Sequence, residues 1–221
     1  MSSEKAIVLL SSGMDSAVCA SLAVRSYKTI FLHFQYGQRA AQKELECFHR
    51  LVQYFKPEKY FVVELSFFKQ IGGSSLVDES IEIEEDVTSG LPSTYVPFRN
   101  GVFLSIATAI AEALGARRIF IGVNQIDFSG YPDCREEFIR TMQKTIALGT
   151  RMGEELKIEA PLLYLSKAEI VKLGLEVGAP FHLTWSCYRG GEKACGRCPS
   201  CKLRLKAFAE AGVPDPIPYE L

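Results

Sequence analysis

Long apolar runs are scarce in this sequence. No segment approaches the roughly 18 consecutive apolar residues that a membrane-spanning helix needs. The most apolar stretch, residues 102–116, is interrupted by Ser105, Thr108 and Glu112. No membrane partner is expected. The N-terminal apolar run, residues 6–10, is too short for a signal-peptide core, so the expected location is cytoplasmic. An excess of charge of either sign is missing as well. Twenty-five Lys+Arg against 26 Asp+Glu leave a net charge of -1, which gives no reason to expect a surface that coats nucleic acid. Neither G-x-x-x-x-G-K-[ST] nor G-x-G-x-x-G occurs, which speaks against kinase-type and dinucleotide-type phosphate sites. With 48% hydrophobic and 23% charged residues among 221, the chain is neither disordered, collagen-like nor a coiled coil.

Strand-like and helix-like segments alternate. Residues 6–10, 30–34, 60–65 and 119–123 are short continuous apolar runs, as suits strands buried on both faces of a parallel sheet. Leu45, Phe48, Leu51, Val52 and Phe55 recur at helical spacing, as do Phe138, Ile139, Met142 and Ile146. Ser166 followed by Glu169 predicts a capping box that opens another helix. Residues 101–114, apolar almost all round, predict a central helix. The pattern is that of an α/β fold, a doubly wound, mainly parallel sheet with ligands at the carboxyl ends of its strands. Residues 66–98 break the alternation and carry an acidic run (Glu79, Glu82, Glu84, Glu85, Asp86). A loop that long reads either as a functional lid or mobile segment, or as a solvated acidic loop. Residues 214–218 hold three prolines, which excludes a helix and suits a tail reaching toward a neighbouring subunit.

The first predicted strand runs into Ser11-Ser12-Gly13-Met14-Asp15-Ser16, and a helical pattern follows. A strand, a turn of small residues and a helix start aim backbone N–H groups and the helix dipole at an anion. Asp15 would repel a bare phosphate, so it implies either Mg²⁺ or a cap on the helix.

Seven cysteines are present, four of them clustered as Cys187, Cys195, Cys198 and Cys201. In a reducing compartment that cluster is a metal pattern rather than a disulfide framework. Four thiolates close a tetrahedral structural Zn²⁺ site, with an iron–sulfur cluster or free thiols as the alternatives. Cys19 and Cys47 read as small hydrophobes, and Cys134 lies in a polar loop beside Asp133. The boundaries follow: residues 1–180 for the α/β unit that carries the 11–16 turn, 181–221 for a small zinc-binding and helical C-terminal subdomain.

Residues 11–16 resemble the S-G-G-x-D-S loop of the PP-loop, or N-type, ATP pyrophosphatases, with Ser12 standing where that pattern has its first Gly. Residues 95–100 (Tyr-Val-Pro-Phe-Arg-Asn), residues 122–135 and the four cysteines narrow the resemblance to the 7-cyano-7-deazaguanine synthase family. The resemblance implies an adenine nucleotide alpha hydrolase-like fold and a ligase that uses ATP and ammonia to convert 7-carboxy-7-deazaguanine to the 7-cyano base. It also implies a homodimer, one structural Zn²⁺ per subunit, Mg²⁺ with the ATP, and no nucleic-acid partner. It assigns ATP to Leu10, Ser11, Ser12, Gly13, Met14, Asp15, Ser16, Ala17, Val18, Cys19, Ala20, His33, Phe34 and Lys167. Substrate falls to Arg99, Asn100, Asn124, Asp127, Ser129, Tyr131 and Asp133, and the chemistry to Asp15, Arg99 and Lys167. The rival enzyme is a tRNA-thiolating PP-loop protein, which needs a persulfide cysteine pair and a basic RNA-binding face. A zinc-ribbon binding module without catalysis would leave the first 180 residues without a role.

Overall fold

The structure is a computed structural model that describes residues 4–86, 90–126 and 130–220. Strands β1 (Lys5–Leu9), β2 (Lys28–Gln35), β3 (Lys59–Glu64), β4 (Ala116–Phe120) and β5 (Lys157–Glu159) form one sheet in the order β3-β2-β1-β4-β5. Every neighbouring pair is parallel, as the continuous hydrophobicity of the strands predicts. The helices are α1 (Met14–Ala23), α2 (Ala41–Phe55), α3 (Phe67–Ile71), α4 (Arg99–Leu114), α5 (Glu136–Gly149), α6 (Lys167–Glu176) and α7 (Pro199–Glu210).

Strand side chains alternate between two cores. Ile7, Leu9, Ile30, Leu32, Phe34 and Ile119 pack with Phe103, Leu104 and Ala107 of α4 and Ile139 and Ile146 of α5. Ala6, Val8, Phe31 and Phe120 pack on the other face with Val18 of α1, Phe48 and Leu51 of α2, Ile170 of α6 and Phe208 of α7. The doubly wound α/β arrangement read from the sequence is therefore the observed one. The capping box forms too: Ser166 Oγ accepts the Glu169 N–H at 3.3 Å while Glu169 Oε2 accepts the Ser166 N–H at 2.7 Å.

Several local expectations are corrected. Helix α4 is a covering helix, not a central one: Ser105, Ala109 and Ala113 face solvent, and alanine there costs little in water. Strand β4 ends at Phe120, so residues 121–123 leave the sheet. Although the acidic side chains Glu79, Glu82, Glu84, Glu85 and Asp86 are exposed, the described residues of the 66–98 segment are packed in part. They hold α3, they bury Phe68, Leu76, Val77, Ile83 and Val96, and Arg39 donates to the carbonyls of Asp78 (3.0 Å) and Ile81 (2.6 Å). The proline-rich tail turns back onto its own chain, with the Ala194 N–H on the Pro218 carbonyl and the Glu220 N–H on the Ala194 carbonyl, both at 2.9 Å. Within it Asp215 meets the buried guanidinium of Arg204 at 2.7 Å, which the Thr184 hydroxyl and the Phe181 carbonyl also engage. With the Ser186 hydroxyl at 3.2 Å, four partners satisfy the charge that burial would otherwise penalise.

Candidate active site

The chain leaves β1 toward β2 and returns from β3 to β4 on the opposite side of β1, which places the topological switch point between β1 and β4. A cavity of about 280 Å³ opens there. It is walled by the residues after β1, the end of β2, the start of α4, residues 121–124, Lys167, and Trp185, Ser186 and Tyr188 from the cysteine region.

Its floor is the turn into α1. The first intrahelical bond runs from the Ala17 N–H to the Gly13 carbonyl at 3.1 Å, so the N–H groups of Met14, Asp15 and Ser16 have no helical acceptor. Ser11 Oγ donates to Ser16 Oγ at 3.2 Å, and Ser16 Oγ donates to the Gly13 carbonyl at 3.0 Å. Ser12 takes the positive φ that the missing glycine would have supplied, +72°. Its side chain is wholly buried behind the turn, donating to the Glu44 carbonyl at 2.8 Å. Gly122 presses against this floor from residues 121–124: a Cβ there would stand 3.1 Å from the Asp15 carbonyl carbon and the Ser16 nitrogen.

Asp15 pairs with Lys167 across the cavity, the lysine being presented by the capped start of α6. The other Asp15 oxygen is buried with no hydrogen-bond partner among the described residues. An orphaned carboxylate oxygen is the kind of hard ligand that Mg²⁺ takes, while the N–H groups of the turn beside it suit an anion.

Opposite lies Arg99, the first residue of α4, which donates to the Tyr36 hydroxyl at 2.9 Å. Burial works against its charge, but Tyr36, Tyr131, Cys134 and Asp133 together hold its proton more tightly than usual. The phenols of Tyr36, Tyr131 and Tyr188 are all pushed up, chiefly by burial, so they face the cavity as neutral O–H groups. Burial likewise lifts the Cys134 thiol to about 11, which makes it a poor nucleophile.

Of the residues read from the sequence, the structure brings Leu10, Ser11, Gly13, Met14, Asp15, Ser16, Phe34, Arg99, Asn100, Asn124, Tyr131 and Lys167 to the cavity wall. Ala17, Val18, Cys19 and Ala20 lie behind the floor, fully buried in the α1 core. His33 and Phe34 diverge because strand side chains alternate. Phe34 stacks on Phe103 at 3.9 Å beside the cavity. His33 faces the other core, its Nδ1 2.9 Å from the Leu10 carbonyl and its ring on Phe48. Asp133 is buried outside the wall and accepts the Asn100 N–H at 2.8 Å, capping the start of α4. Asn124 donates its amide to the carbonyls of Leu162 and Leu165, just ahead of Lys167. Asp127 and Ser129 lie outside the described residues. The wall also includes Gly122 of the 122–135 motif, and Tyr36, Gln38, Arg39, Glu44 and Tyr188, which the motifs did not single out. The strand-end rule would have flagged residues 36–39, which follow β2 directly.

The four clustered cysteines are buried, their Sγ atoms within 4.8 Å of one another. Cys195 and Cys201 sulfurs are 3.9 Å apart, against about 3.8 Å between sulfurs held at ~2.3 Å from a tetrahedral zinc. Backbone N–H groups of Cys195, Arg197 and Cys198 point at cysteine sulfurs at 3.3–3.5 Å, the contacts that stabilise thiolates. The donor set fits Zn²⁺ with no open position.

Comparison with known proteins adds an independent line. Residues 5–212 match the family described as Queuosine biosynthesis protein QueC. The chain is 51% identical over 218 residues to a 7-cyano-7-deazaguanine synthase of Nitratiruptor sp., covering 98% of this chain and 99% of the relative. It is 50% identical over 221 residues to the enzyme of that name from Oceanobacillus iheyensis, covering 99% and 100%. Among solved structures, an NMN synthetase from Francisella tularensis matches with a TM-score of 0.50 at 16% identity, over 95% of this chain and 77% of that one. At that identity the likeness is one of fold.

Proposed function

The chain belongs to the QueC family of queuosine biosynthesis proteins, and from that premise we propose how its cavity carries out an ATP-dependent carbon–nitrogen ligation. 7-Carboxy-7-deazaguanine and ammonia enter, and 7-cyano-7-deazaguanine leaves. The observation that carries the reading is the convergence of the α1 turn, the Asp15–Lys167 pair and Arg99 on one cavity at the switch point.

A carboxylate resists ammonia because oxide is not a leaving group. In the first round a carboxylate oxygen attacks the α-phosphorus of ATP, expelling pyrophosphate and giving an acyl adenylate. Ammonia adds to the acyl carbon, AMP departs and a proton is lost, leaving the amide. In the second round the amide oxygen attacks the α-phosphorus of a second ATP, expelling pyrophosphate, and one N–H proton is lost. Loss of AMP and of the remaining N–H proton then gives the nitrile. No electrons change hands, so no redox cofactor is required.

Ser11, Ser16 and the N–H groups of residues 14–16 are placed to hold the leaving pyrophosphate. Lys167 is placed to meet its charge, and Asp15 to hold Mg²⁺ through its orphaned oxygen. When bound, that cation offsets charge on the phosphates. Arg99, with the Tyr36 and Tyr188 hydroxyls near it, would orient the reacting carboxylate. Asn100, Asn124 and Tyr131 line the remaining wall, with Asp127 and Ser129 as further substrate contacts carried from the family resemblance and Asp133 acting from behind the wall through Asn100. Residues 1–180 are the ATP-binding unit and 181–221 the subdomain whose cysteines hold a structural Zn²⁺. Homodimeric assembly and a cytoplasmic location complete the proposal.

The test follows the oxygens. Substrate acid labelled with ¹⁸O in both carboxyl positions should give nitrile and two AMP molecules, each carrying one label. Label in inorganic phosphate instead would overturn attack at the α-phosphorus.

A further inference from the structure

Two carboxylates line the described cavity wall, Asp15 and Glu44. Asp15 is paired with Lys167 at the phosphate floor. Asp133, a third acid close by, is turned away to cap α4 and is almost wholly buried. Among the described residues Glu44 is the wall carboxylate that has no cationic partner in contact. It lies in the first turn of α2, where the helix N-terminus favours negative charge.

Its backbone is pinned: the carbonyl accepts Ser12 Oγ at 2.8 Å and the N–H donates to the Ala40 carbonyl at 2.9 Å. Its side chain is aimed as well, because Oε2 accepts Gln38 Nε2 at 2.7 Å. Gln38 is in turn fixed by the Tyr36 N–H (2.8 Å) and the Phe34 carbonyl (3.3 Å). The other carboxylate oxygen makes no hydrogen bond among the described residues. Burial raises the Glu44 carboxyl above its ordinary range, opposed by the Gln38 bond and by Arg99. An acceptor that is rigidly held, short of donors and partly desolvated is matched by a ligand with two adjacent N–H donors.

We propose that Glu44 is the specificity-determining residue that reads the N–H and amino donors of the 2-amino-4-oxopyrimidine edge of the substrate, with Gln38 as its positioning residue. The inference rests on the reading of the substrate as a deazaguanine acid. The edge of such a ring presents a ring N–H and an exocyclic amine side by side, which two carboxylate oxygens accept together. Arg99, linked through Tyr36 to the turn after β2 that carries Gln38, then faces the carboxylate end of the same ring.

The test compares the zinc-loaded protein with E44Q and E44D, using 7-carboxy-7-deazaguanine and its analogue lacking the 2-amino group. Wild type should prefer the amino substrate by about tenfold or more in kcat/KM, the worth of a bidentate contact. In E44Q that preference should collapse toward unity through a rise in KM for the amino substrate, with the KM for ATP within about threefold of wild type. E44D, judged by the same preference, covers the case in which E44Q does not fold. A raised KM for ATP with intact discrimination would overturn the proposal and move Glu44 to the ribose hydroxyls of the nucleotide. So would a wild-type enzyme that does not distinguish the two acids. A wild type that turns over neither acid would instead overturn the substrate reading beneath it.

Discussion

The Trp185 N–H donates to the Ser12 carbonyl at 2.9 Å, joining the segment that leads into the cysteine cluster to the turn that forms the cavity floor. Two residues on, the Cys187 carbonyl accepts the Trp185 indole N–H at 3.0 Å, so the indole is locked to the first cysteine. Lys43 Nζ sits 5.3 Å above the same ring. The cysteine cluster and the turn into α1 are therefore joined through Trp185 and its hydrogen bond to Ser12.

Removing the zinc should loosen that bond. With one neutral hydrogen bond worth about 0.5–1.5 kcal/mol, chelator-treated protein should bind ATP about two- to tenfold more weakly. Calorimetric titration of ATP into metal-loaded and stripped protein measures this. Equal affinities would detach the cysteine cluster from the site.

Ser12 holds a positive φ that costs a non-glycine residue about 1–2 kcal/mol, and its hydroxyl recovers a bond to the Glu44 carbonyl. Ser12→Gly exchanges the two terms, so its stability should lie within about 1 kcal/mol of wild type. Ser12→Val keeps the strain, adds a branched Cβ and loses the bond, and should fall by about 3 kcal/mol. Urea unfolding midpoints decide; equal losses in both variants would contradict the balance.

Gly122 is required by space, since its φ is ordinary and a Cβ would meet the backbone of Asp15 and Ser16 at 3.1 Å. Gly122→Ala should push the loop out of register. The expected result is a rise of about tenfold in KM for ATP, with stability lowered by only about 1–2 kcal/mol. An unchanged KM would show that the loop tolerates the shift.

Burial lowers the His33 pKa to about 4, with the Leu10 carbonyl opposing and His49 reinforcing the shift. Its Nε2 has no partner among the described residues, as suits a neutral ring. Because the folded value lies below the ordinary 6.5, the unfolded chain binds this proton first. Stability should then fall as pH drops from about 6.5 toward 4. Between pH 7.5 and pH 5 the loss due to His33 should be about 2 kcal/mol. Denaturant unfolding at the two pH values should show that loss in wild type and not in His33→Phe. Parallel slopes would mean that groups other than His33 carry the dependence instead.

The parts of this architecture that are local in sequence were legible in it. Continuous apolar strands announced the parallel sheet, Ser166 and Glu169 announced the start of α6, and the cysteine spacing announced a metal site. Long-range features were not. His33 and Phe34 are neighbours with equal claim from the sequence, and only the position of the cavity shows that Phe34 faces it. Glu44 lies 32 residues from Ser12, and nothing short of the folded α2 sets them together. The three-residue β5 is too short for any pattern. In residues 66–98 the acidic run hides the buried Leu76, Val77 and Ile83, of which Leu76 reaches the cavity wall.

One incubation tests the central claim most directly: protein, 7-carboxy-7-deazaguanine, ATP, Mg²⁺ and ammonium, with bases and nucleotides followed by mass spectrometry. The account predicts that the acid passes through the amide to the nitrile while AMP and pyrophosphate accumulate, two of each per nitrile. Acid returned unchanged, or nitrile formed with ADP in place of AMP, would contradict it.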